Sequence, residues 1–121
     1  MQEITLETIT GLHDRILVKE GEDLRIISEG NLHQLVFQAN LAEDPVLRAA
    51  TAFWLLCAYP AFREGNRRTA FRLTEEILAS GGYRAELPCE EMRALAKGID
   101  AFTGEIDDVA RVLQGHSKKI A

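Results

Sequence analysis

Residues 45–70 read PVLRAATAFWLLCAYPAFREGNRRTA. Asp44 and Pro45 open the run as a helix start, a capping carboxylate followed by proline at the first helical position. The residues that follow, VLRAATAFWLLCAY, are apolar around most of the helical circumference. A helix of that kind belongs in the middle of a bundle, surrounded by others. Phe53 and Trp54 read there as core rather than as ligand-stacking aromatics. Pro60 breaks the helix, and the polar turn Arg63-Glu64-Gly65-Asn66 follows. A further helix, RRTAFRLTEEILAS, then runs to a stop at Gly81-Gly82.

Outward from this pair the periodicity stays helical. Thr5 caps a first helix with Leu6, Ile9, Leu12, Ile16 and Leu17 on one face, closed at Gly21 in a loop of mixed charge. Ser28 caps a second, carrying Leu32, Leu35, Val36 and Ala39. Pro88 precedes another through Met92, Leu95 and Ala96. A last helix after Gly104 carries Ile106, Val109, Ala110 and Leu113 and stops at Gly115. Leu24, Ile26 and Ile27 form the one candidate strand, too short to build a sheet alone. The expected fold is all-α: a compact bundle of about six helices with a short extended segment near residues 24–27. It forms a single domain over 1–121 without repeat, linker or low-complexity stretch.

Composition agrees and narrows the function classes. The chain has 121 residues, 46% hydrophobic and 27% charged, which suits one globular domain and excludes a disordered tail. Nineteen acidic against fourteen basic residues give a net charge of -5. Direct nucleic-acid binding is thus disfavoured, and any anion site is local. Cys57 and Cys89 show no metal-ligand spacing and read as buried or half-buried thiols of a reducing cytoplasm. No apolar run reaches the roughly 18 residues that span a bilayer. The opening MQEITLETIT has neither a basic nor an apolar signal region, so a cytoplasmic location without membrane contact is expected.

The segment with chemical content is Phe62-Arg63-Glu64-Gly65-Asn66-Arg67-Arg68-Thr69-Ala70. Gly65 and Asn66 are the residue types most at ease with positive φ. They stand just before a helix, whose first backbone N–H groups have no intrahelical partner. That makes an anion nest at the positive end of the helix dipole, and Arg67 and Arg68 add forked donors for phosphate. Glu64 would be repelled by phosphate unless a cation such as Mg²⁺ stood between them. A plainer reading stays open. On it the segment is a tight turn, Asn66 is a helix cap, and the arginines form a solvated face with Glu75 and Glu76.

The same segment resembles the signature of the Fic/Doc (Fido) superfamily, H-x-F-x-(D/E)-G-N-x-R. Phe62, Glu64, Gly65, Asn66 and Arg68 match it position by position. Arg67 followed by Arg68-Thr69-Ala70 is similar to the death-on-curing (Doc) branch. The Fic branch has a further arginine where this chain has Phe71. The opening ITLETITGLHDRIL, with His13-Asp14, the helix TAFWLLCAYPAF, the GGY at 81–83 and the closing TGEIDDVARVL also resemble Doc. The likeness covers in effect the whole chain.

What the resemblance implies is transfer of part of a nucleotide, AMP or the terminal phosphate, to a hydroxyl of a target protein. It implies Mg²⁺ and ATP as cofactors. Glu64 becomes the metal ligand, Gly65, Asn66 and Arg67 the phosphate nest, Arg68 the phosphate clamp, and Phe62 an anchor in the core. It also implies a protein target, or an antitoxin-like peptide lying in a groove of the bundle as in toxin–antitoxin pairs. The segment Glu20 to Ser28 then corresponds to a flap that adds a strand to a target, or else to a loop docked on the core. Oligomeric state is not given by one chain.

The family's general base is missing. Its histidine position is Pro60, which has no titratable group, and general-base catalysis is worth about 10²–10⁴-fold. Tyr59 is a poor base near neutrality, with a phenol pKa of about 10. His13 and His33 read as partly buried structural residues, and His116 as solvated. The expectation is a Doc-like, toxin-related protein that keeps a nucleotide-phosphate-binding loop but has a degenerate, inactive transfer site with no catalytic residue. Two alternatives stand beside it: an active kinase or AMP transferase with an unusual base, and a helical interaction module that binds no nucleotide.

Overall fold

Small polar side chains fix where the first three helices begin. In the computed structural model, which describes residues 1–120, Thr5 Oγ1 accepts from the Thr8 N–H at 3.1 Å and opens α1 (Leu6–Leu17). Ser28 Oγ accepts from Asn31 N–H at 3.1 Å at the head of α2 (Glu29–Leu41). Asp44 accepts from Leu47 N–H at 2.9 Å at the head of α3 (Pro45–Ala58). Each such cap satisfies a donor that the helix leaves free, an effect of about 1 kcal/mol. A 3₁₀ turn, Val18–Glu20, extends α1 to Gly21, whose left-handed φ of 67° ends it. The remaining elements are α4 (Asn66–Ser80), β1 (Tyr83–Ala85), α5 (Cys89–Asp100), α6 (Ile106–Gly115) and β2 (Ser117–Lys119). Over the described residues the fold is an all-α bundle of six α-helices.

Helix α3 is its axis. Ten of its fourteen residues are buried, and it packs against α2, α4, α5 and α6. Phe53 is buried in the core, joined by Leu56, Leu73, Leu78 and Leu113 from three elements. Burying each such side chain stabilises the fold by about 1.5–3 kcal/mol. Trp54 is only partly buried, and its indole Nε1 donates to the Gly104 carbonyl at 3.0 Å, tying α3 to the start of α6. Arg48 lies inside the same helix, 5% exposed. Its guanidinium donates to the carbonyls of Ala42, Gln2 and Asn40 at 2.9, 3.1 and 3.2 Å, satisfying two acceptors left over at the end of α2 and one before α1.

Residues 24–27 form no strand. Ile26 makes a single antiparallel bridge with Phe62. Ile27 and Ser28 both donate to the Ala61 carbonyl, and Arg63 donates to the Arg25 carbonyl. Leu24, Ile26 and Ile27 are exposed, so their apolar run does not mark a buried strand. The two strands lie elsewhere. β1 and β2 pair antiparallel, with Tyr83 opposite Lys119 and Ala85 opposite Ser117. Three residues each, YRA and SKK, carry too little alternation to be read as strands in advance. Among the described residues no helix is long and apolar enough to cross a membrane.

Candidate functional site

The turn before α4 is held from below. Phe62, 1% exposed, stacks on the His13 ring with 3.6 Å between centroids and 8° between planes. His13 is fully buried, not partly as its sequence position suggests. Its Nε2 donates to the Glu64 carbonyl at 2.8 Å, and Nδ1 lies 3.1 Å from the Asp14 carboxylate. A carbonyl oxygen only accepts, so Nε2 carries a hydrogen. His13 thus fixes the loop from the core side.

Asn66 staples the loop from within. Its Oδ1 accepts from the N–H groups of Ala61 and Phe62, both at 3.0 Å, and its Nδ2 donates to the Phe62 carbonyl at 2.8 Å. It is the first residue of α4 and not its cap. Gly65 takes the cap position at φ 80°, and a Cβ there would run into the Leu17 side chain. Only glycine suits both demands. Because Gly65 offers no side-chain cap, the first-turn amides of Asn66, Arg67 and Arg68 have no acceptor among the described residues. Thr69 N–H is the first to bond, to the Gly65 carbonyl at 3.0 Å.

The residues of this helix start border a cleft of about 850 Å³. Five arginines line it, Arg63, Arg67, Arg68, Arg72 and Arg93, against the carboxylates of Glu64 and Asp100. Ile16, Cys57 and Phe71 supply an apolar side. All four proposed phosphate-loop residues, Gly65, Asn66, Arg67 and Arg68, lie along this cleft with Glu64, although the Asn66 side chain is spent on the loop itself. Arg72 and Arg93 were not read from the sequence as part of any site. Arg93 belongs to α5, and nothing in sequence order brings it to α4.

The arginines have partners that the sequence did not indicate. Arg68 Nη1 donates to Glu20 at 2.6 Å and Nη2 to Glu22, which hold the guanidinium proton more tightly than usual. Arg67 pairs with Asp100. Arg63 lies 3.4 Å from Asp23. Asp23 is held down to about 2, chiefly by the hydrogen bond from the Arg25 side chain. Its backbone N–H in turn donates to Glu64 Oε2 at 3.1 Å. Residues 20–23 therefore form an acidic strap against the loop. Of Glu75 and Glu76, the expected partners, Glu75 faces Arg72 at 3.6 Å.

No group of three potential metal ligands occurs among the described residues. Mg²⁺, though, is often held by one or two carboxylates together with substrate phosphates. Glu64 has one carboxylate oxygen engaged with Asp23, and it borders the open amides, which suits that role only with phosphate present.

Pro60 lines the cleft at the position that is histidine in the signature this segment resembles, and no histidine is among the described residues that line it. His33 is exposed on α2, not partly buried. His116 is exposed, 3.8 Å from Glu91. Tyr59 is exposed and packs edge-on to Trp54. Both cysteines line the cleft. Cys57 is buried, and burial pushes its thiol up to about 12. Cys89 is exposed at the first position of α5, contrary to the expectation of two sheltered thiols.

No protein-family model matches the chain, and a search of curated proteins also finds no match.

Proposed function

We propose that this chain is a Doc-like, Fido-type domain that binds the phosphates of a nucleotide, ATP with Mg²⁺, and does not transfer them. One observation carries the reading: five arginines and an uncapped helix start line one cleft of about 850 Å³. The amides of Asn66, Arg67 and Arg68 and the φ of Gly65 form the nest, and Arg68 clamps a terminal phosphate. Mg²⁺ would neutralise phosphate charge beside Glu64. Phosphate offers Arg68 a bidentate, charge-assisted contact. The pairs it displaces, to Glu20 and Glu22, are partly exposed and contribute only about 0–1 kcal/mol each.

Transfer needs a base at the attacking hydroxyl, and Pro60 supplies none. Toxin ancestry, a cytoplasmic location and a peptide or protein partner belong to the same reading. A second reading is favoured by the ion pairs themselves. With Arg63, Arg67 and Arg68 each facing an internal carboxylate, the loop is a structural joint of an interaction module. Equilibrium dialysis against labelled ATP, with and without Mg²⁺, separates the two. Retention of label, with no labelled protein when lysate is added, is expected. Label transferred to a protein, and abolished by Glu64→Ala, would establish an enzyme instead. Absence of retention would leave the structural joint.

A further inference from the structure

The connection between α5 and α6 presents one side chain at two separate costs. Phe102 is 95% exposed, the most exposed large apolar residue among those described. It also sits at φ 60°, the only non-glycine residue at positive φ among those described. Burial within the chain does not compensate for either feature, and left-handed backbone is rare for aromatic residues.

The backbone around it is firmly bonded. Phe102 N–H donates to the Ile99 carbonyl at 3.0 Å and Thr103 N–H to the Gly98 carbonyl at 2.8 Å, the paired bonds of a Schellman helix end. Thr103 Oγ1 adds a third bond to the Gly98 carbonyl at 3.0 Å. Glycine is the usual residue at this position. Here a phenyl ring is instead carried outward, as a peg, from a fixed backbone.

A groove of about 470 Å³ begins at the foot of that peg. Thr103 and Gly104, the next two residues in the chain, already line it, and Ala94, Leu95 and Val112 supply an apolar floor between α5 and α6. Its rim carries both signs of charge, with Arg111 paired to Asp108 and Glu91 opposite them.

We infer that this face binds a second copy of the chain about a two-fold axis, each Phe102 seated in the α5–α6 groove of the other. A two-fold contact requires a surface that is its own complement, where one feature meets another and the reverse. Peg and groove side by side meet that requirement, and a rim of mixed charge lets Arg111 face Glu91 across the axis. A partner of another kind would need both a pocket for the ring and a ridge for the groove. The backbone that carries the ring is fixed before association, so only the ring's own rotamer has to be ordered on contact.

Sedimentation equilibrium of the full chain, from low-micromolar to near-millimolar concentration, tests this. The expected mass rises with concentration from that of one chain toward twice that value. Phe102→Gly relieves the left-handed strain, so it folds at least as well. It should weaken dimerisation by at least about a hundredfold, because two buried rings are lost per dimer. Ala94→Arg, an exposed helix position on the groove, should do the same while leaving the peg intact. A wild-type chain that stays monomeric throughout overturns the inference. So does a Phe102→Gly variant that dimerises as tightly as the wild type.

Discussion

Gly65 is the residue on which the loop turns, for two reasons that reinforce each other. Its φ of 80° suits glycine, and its Cα lies against Leu17 with no room for a methyl group. Gly65→Ala should therefore cost about 2–4 kcal/mol, the sum of a left-handed penalty and local overpacking. Denaturant titration would read it as a lowered midpoint with an unchanged slope. Arg48 makes a comparable case in the core. Arg48→Met keeps the volume but leaves three carbonyls without their donor, and a loss of about 2–3 kcal/mol is expected. The cysteines should separate by reactivity. Cys57 is buried with its thiol pushed up to about 12, so iodoacetamide at neutral pH should label Cys89 alone in the native protein. Peptide mass mapping checks this, and equal labelling of both would mean that α3 opens readily. What the sequence could not disclose at this scale is partnership. His13 is an ordinary helical residue until the fold lays Phe62 on it and Glu64 beside it, contacts made across half the chain.

At the scale of elements, the strap at residues 20–23 would compete with the phosphate that we propose the α4 start binds. Glu20 and Glu22 occupy the two ends of the Arg68 guanidinium. Removing their charge with Glu20→Gln and Glu22→Gln together should tighten nucleotide binding by up to about fivefold, the scale of one exposed ion pair. Unchanged affinity would mean that the strap does not cover the phosphate position. Asp23 gives the strap a pH dependence of known sign. Its carboxyl is lowered from 3.8 to about 2, so its contribution is fully present above 3.8 and is lost as pH falls through about 2. Asp23→Asn should flatten that part of an acid-unfolding profile. Helix starts were legible in the sequence because a cap is a local event: Thr5, Ser28 and Asp44 each bond three residues ahead. The strap was not. Arg68 meets Glu20 from 48 positions away, and a run of mixed charge after a helix carries no sign of where it docks. Strands β1 and β2 were missed for the related reason that two three-residue segments reveal themselves only by pairing.

Taken whole, the molecule carries a net charge of -5 yet gathers five arginines in one cleft against two carboxylates. The six-helix bundle and its apolar axis were legible, since periodicity and caps agree along the chain. So was the loop as a turn of special backbone at Gly65, whereas Asn66 takes no positive φ and is the first residue of α4. The width of the cleft was not, because Arg93 comes from a helix two elements further along. On the proposed reading, Pro60 separates binding from chemistry at this scale. Pro60→His should leave nucleotide affinity within about twofold and introduce labelling of a target, provided that the base is the one missing part. A folded Pro60→His protein that binds nucleotide and transfers nothing would show that more than the base is gone. The central claim is that the α4 start and Arg68 hold phosphate. Calorimetric titration of Mg-ATP into the wild-type chain and into Arg68→Ala tests it most directly. A saturable heat in the wild type that vanishes in the variant is predicted. No heat in either, or the same heat in both, would contradict it.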